Sequence, residues 1–242
     1  MHRPLALVAL LALLVPRPCI SESDPPQIMP EIALHLQDRP PYYVLKGPAG
    51  LVVMPLLQAL QRAGLPHRFE HTPALRQLRL IESDGGMHCG VGWFRNEERA
   101  TKGRFSKALY QDQPLGLLMR QELGWQAPLR MAEALAERRV RLLVKAGFSY
   151  GAEFDRQLAA LPPPAKITGE MATVARMLAA DRADWTPMAP EEAQLLVTQF
   201  AGLRMLSFAD APPGGRRHLY CNKAVPEAWL KRLDAELPEI KR

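Results

Sequence analysis

Few residues in this sequence are of a type and spacing that could do chemistry. His88 and Cys89 are both metal-ligand types, but they are adjacent in a stretch that reads as a strand. Neighbouring strand residues point to opposite faces, so a shared metal ion is not expected. His67 and His71 also read as strand residues, where four positions span roughly 13 Å, too far to share an ion. There is no phosphate loop, dinucleotide fingerprint, nucleophile elbow or zinc-protease helix. No metal, cofactor or catalytic residue is therefore expected. Side chains suited to holding a ligand remain. Arg99 offers a planar guanidinium fork that can grip a carboxylate, although among Arg95, Glu97, Glu98 and Lys102 it also reads as a surface arginine. Tyr42, Tyr43, Trp93 and Trp185 offer apolar area with a polar tip. Ser149-Tyr150-Gly151 precedes a helix whose free N–H groups favour an anion, and Ser149 reads equally as a plain N-cap.

The elements that would position these residues alternate. Glu31–Leu36 reads as a buried strand ended by Pro40-Pro41. From Gly50, a run with leucines at helical spacing continues to Gly64. Residues 67–71 read as a strand, and Thr72-Pro73 as the cap and first position of a helix to about Glu82. After the turn at 84–86, MHCGVGWF reads as a glycine-broken strand. A second series begins with a strand at 114–120, a helix at 128–138 and a strand at 140–147. A helix at 151–161, a short strand near 165–168 and a helix at 170–181 follow. It closes with a strand from Asp184, a helix at 190–201 and a strand near 203–208. Such βα repeats argue for mostly parallel sheets with helices on their faces. The final strand 218–223 and helix 226–236 read as a return to the first series.

The compartment is read from the N-terminus. Residues 5–15 are apolar after His2 and Arg3, too few for a membrane-spanning helix of about 20 residues and typical of a secretory signal peptide. Cleavage is expected after Ser21, so residues 1–21 are assigned as signal peptide and the protein as periplasmic. Beyond residue 21 the chain has 29 Lys and Arg against 25 acidic residues. This mild, scattered charge does not suit a nucleic acid. Only Cys89 and Cys221 then remain, and in an oxidising compartment a disulfide between them is the default.

The stretch GVGWFRNEERATKGRFSKALYQDQPLGLLMR, with Arg99, Phe105-Ser106 and Tyr110 as landmarks, resembles the family 3 extracellular solute-binding proteins. RPPYY (39–43), GPAGLVVMPLLQALQRAG, RLLVKAGFSYG and RMLAADRADW extend the likeness over most of the chain. The resemblance implies a type II periplasmic-binding fold: two α/β lobes, each a mixed, mostly parallel sheet flanked by helices, joined by two crossovers. Residues 28–115 plus 216–242 would form lobe 1 and 116–215 lobe 2. It also implies that the returning strand lies beside the third strand, bringing Cys221 next to Cys89. Arg99 matches the family's carboxylate-binding arginine. Tyr42 or Tyr43, Trp93, Ser149, Tyr150 and Trp185 would face the cleft, while Asp184 reads as structural.

Two departures separate this chain from amino-acid receptors. The position aligned with their amine-binding carboxylate is Ala189, with Glu191 and Glu192 just beyond. Gly92, Trp93 and Phe94 replace the serines and threonines that commonly precede the arginine. The expected function is capture of a small, carboxylate-bearing solute by a monomer, with an ABC-type permease or a membrane sensor as partner. The alternatives are a dehydratase-like enzyme on the same scaffold, using Glu191 or His88, and an accessory protein that binds no solute.

Overall fold

The computed structural model describes residues 29–44, 49–83 and 85–240. The expected signal segment, 1–21, lies outside them. The first sheet begins with β1 (Ile32–Leu36), flanked in parallel by β2 (His67–His71) and β3 (His88–Phe94). Alternation decides its faces. Ile32, Leu34 and Leu36 enter a core with α1 (Val53–Ala63) and α8 (Glu227–Glu236), through Val53, Leu56, Leu60, Trp229 and Leu233. Gly64 ends α1 in the left-handed region, with φ 58°. On the other face, α2 (Ala74–Glu82) packs Ala74 and Ile81 with Trp93 and Tyr220. Pro73 is the N-cap residue of α2, not Thr72. The Thr72 hydroxyl is instead 2.8 Å from His35 Nδ1, a tertiary contact in place of the expected local cap.

Two elements were not anticipated. The helix α3 (Glu97–Lys102) lifts Arg99 out of what reads as a charged loop, and the strand β4 (Arg104–Gln111) follows it. The returning strand β10 (Arg216–Cys221) inserts between β3 and β4, antiparallel to both, giving the order β2-β1-β3-β10-β4. Cys221 stands opposite Cys89, and the two are joined by a disulfide.

The second sheet is built around β5 (Gly116–Arg120), antiparallel to β8 (Trp185–Met188) and β9 (Leu203–Ser207). The parallel pair β6 (Leu143–Lys145) and β7 (Ala165–Ile167) joins it through a bridge from Leu142 to Trp185. Leu118 faces α6 (Met171–Ala179) and α7 (Pro190–Gln199), while Leu117 and Met119 face α4 (Met131–Ala136) and α5 (Ala152–Ala159). The chain crosses between the sheets twice, and the crossovers touch. Asp112 N donates to Gly215 O, and a Cβ on Gly214 would lie within 1.8 Å of Asp112 O, so only glycine fits there.

Candidate functional site

Between the two sheets lies a cavity of about 530 Å³, within the range of small-molecule sites. Its walls come from the β1–α1 loop, the end of β3, the crossovers, the β6–α5 turn and the start of α7.

Arg99 is held on this wall by α3, whose Asn96 cap accepts from Arg99 N. The guanidinium is 8% exposed and lies 4.8 Å from the Trp93 ring centre. It donates to Phe94 O at 3.0 Å and, across the cavity, to Gly147 O at 2.9 Å. It makes no ion pair among the described residues, and burial lowers its hold on its proton. Trp93 itself is fixed by its Nε1 donating to Gln77 Oε1 at 2.9 Å.

Of the two tyrosines, Tyr43 lines the cavity against Gly92. Tyr42 lies in the first core, and burial raises its phenol. Two guanidinium groups lie over its ring, Arg217 at 3.9 Å and Arg39 at 5.1 Å from its centre. Ser149 and Tyr150 line the opposite wall, but both are engaged. Ser149 Oγ donates to Asp155 Oδ2, and the Tyr150 hydroxyl accepts from Lys145 N at 2.7 Å. Trp185 does not reach the cavity. It is 1% exposed, packed against Trp125, Phe154 and Phe208, because strand alternation turns it into the α4–α5 core. Asp184, immediately before that strand, receives Arg141 and Arg120.

The residues that give the cleft its electrostatic character were not singled out from the sequence. Arg217 reaches Asp112 with two bonds of 2.6 Å and Gly92 O with a third at 3.2 Å. The β3–β10 register skips Gly92, whose φ of 81° marks the bulge that offers this carbonyl. Burial raises the Asp112 carboxyl, and the facing guanidinium opposes that rise. Arg39 makes a second two-bonded pair with Glu192, at 2.9 and 2.7 Å, joining the β1–α1 loop to α7 across the cleft. Arg39 also lies 4.8 Å from the Phe148 ring centre, and Lys145 Nζ lies 4.4 Å from the same ring. Lys145 is 3% exposed, its ammonium has no hydrogen-bond partner among the described residues, and burial lowers it to about 8. Arg39 stands next to the tyrosine loop that the sequence does flag. Its partner is 153 residues away, a separation no local pattern reveals.

Neither candidate for acid or base chemistry lines the cavity. Glu191 Oε1 accepts from the Tyr110 hydroxyl and Gln113 N, and His88 Nδ1 pairs with His35 Nε2 at 2.9 Å. Among the described residues no group of three or more His, Cys, Asp or Glu could hold a metal ion. Nor is any described helix long and apolar enough to cross a membrane.

No protein-family model matches the chain, and no curated protein matches it. Solved structures do. An ancestral arginine-binding protein bound to arginine superposes with a TM-score of 0.67 at 14% identity, over 86% of this chain and 90% of that one. The fold is that of the two-lobed periplasmic binding proteins. An ABC uptake transporter substrate-binding protein from Streptococcus pneumoniae with bound histidine gives 0.65 at 15% identity, covering 85% of each chain. The GluR0 ligand-binding core from Nostoc punctiforme with L-glutamate gives 0.64 at 12%, over 86% and 90%. In that periplasmic-binding fold the cavity described above lies between the two lobes.

Proposed function

We propose that the protein is a periplasmic solute-binding protein that captures a small carboxylate-bearing molecule between its lobes, for an ABC-type permease or a membrane sensor. Residues 28–115 plus 216–242 would form one jaw and 116–215 the other, working as a monomer without catalytic chemistry. The carrying observation is Arg99: a buried guanidinium on the cavity wall, bonded to two carbonyl groups and, among the described residues, to no carboxylate. A buried charge without a counter-charge is unfavourable, and a ligand carboxylate would supply one. Tyr43, Trp93, Ser149 and Tyr150 would border the solute, with Tyr42 and Trp185 stiffening the jaws from behind. The binding proteins of this fold named above carry arginine, histidine or glutamate, which supports a small polar solute.

A thermal-shift screen against amino acids, organic acids and small peptides tests the reading. A solute at a hundred times its Kd stabilises by about 2.7 kcal/mol. Arg99→Ala should weaken such binding at least about tenfold, the scale of a lost charge-assisted contact. Absence of any shift across the carboxylates at millimolar concentration would overturn it.

A further inference from the structure

Proteins hold an ammonium group in two main ways, with a carboxylate or against aromatic faces. In this cleft the protein's own cations occupy the carboxylates that line the cavity and three of its aromatic faces. Asp112 is taken by Arg217 and Glu192 by Arg39, each through two bonds. Glu153, at the rim, accepts from Arg156 and Gln157. Three aromatic faces are claimed as well. Trp93 carries Arg99, Phe94 carries Arg217, and Phe148 has Arg39 and Lys145 within 4.8 Å of its centre. The cations, in contrast, outnumber the acids. Among the described residues Arg99 and Lys145 have no carboxylate partner, so the surroundings favour an anion and disfavour an added positive charge.

We propose, building on the carboxylate reading above, that the solute lacks an ammonium group: it is a small organic acid rather than an amino acid. An amino acid entering the cavity would set its ammonium among four arginines, with both carboxylates that line the cavity, Asp112 and Glu153, already bonded to arginines. Separating Arg39 from Glu192 to free one, with the cleft closed over the solute, would leave a buried guanidinium uncompensated, which is strongly unfavourable. The desamino acid avoids this cost and keeps the carboxylate for Arg99. Tyr43, Phe154 and Met131 offer apolar wall for its uncharged body.

Matched pairs test this directly by calorimetry: 3-phenylpropanoate against phenylalanine, glutarate against glutamate, and imidazolepropanoate against histidine. In every pair that binds, the desamino acid should bind at least tenfold tighter. An amino acid binding as tightly as its partner would overturn the inference while leaving the carboxylate reading intact. Silence from both series, in this assay and in the wider carboxylate screen, would remove that reading and the inference with it. A second arm uses Ala189→Asp. Ala189 lines the cavity at the N-cap of α7, a position where aspartate is favoured. The new carboxylate should move the ratio at least tenfold towards the amino acid, and an unmoved ratio would count against the inference.

Discussion

Two buried arginine–carboxylate pairs stand at the same cavity, and they differ in what they join. Arg217–Asp112 links β10 to the adjoining crossover, at one edge of the first sheet. Arg39–Glu192 links the first lobe to the second. Both are two-bonded, both are almost wholly buried, and Arg217 and Arg39 lie over the same Tyr42 ring. The first cannot separate without unfolding, whereas the second can separate by opening the cleft and letting water in. The same interaction therefore acts on stability in one place and on closure in the other.

The largest effect should come from breaking the pair that cannot rehydrate. Asp112→Ala leaves Arg217 buried without its counter-charge and should lower unfolding stability in urea by about 3–5 kcal/mol. Lys145→Met sharpens the contrast by removing a cation with no carboxylate partner among the described residues, and should stabilise the fold at pH 7 by about 1–3 kcal/mol. The sign follows from linkage. The Lys145 ammonium is lowered to about 8 in the fold, against an ordinary value near 10.5. Between these values the unfolded chain binds the extra proton, so stability rises with pH through that window. The burden is fully present below pH 8. Wild-type protein should show this rise in urea titrations between pH 8 and 10, and Lys145→Met should lose it. Glu192→Gln should have the smallest effect on unfolding, about 1–2 kcal/mol, because the lobes can part and hydrate Arg39. Its signature should be a larger radius of gyration in solution scattering, with no such change in Asp112→Ala. Equal expansion in both variants would erase the distinction.

The sequence carries the scaffold better than the cleft. Periodicity and punctuation place most strands and helices, because each depends on a contiguous run: β2 occupies 67–71 as read, and α2 ends at Glu82 as read. The cysteines meet because the chain returns to the first sheet at Cys221. Where the pattern is charged it hides structure, as in EERATK and RFSKALYQ, which form α3 and β4. Trp185 shows the limit at a strand end, since the start of β8 is buried on both faces and only Pro187 and Met188, at its far end, reach the cavity. The two ion pairs were invisible for a different reason. Their partners are 105 and 153 residues apart, and nothing in either local stretch selects one arginine from the many.

The central claim is that Arg99 on the closed cleft meets a solute carboxylate while Arg39 and Arg217 keep their own partners. A crystal structure with the best-binding acid from the screen tests it most directly. The account predicts the carboxylate within hydrogen-bonding distance of the Arg99 guanidinium, with Arg39 still on Glu192 and Arg217 still on Asp112. An acid bound outside the cavity, or inside it with no contact to Arg99, would contradict the account.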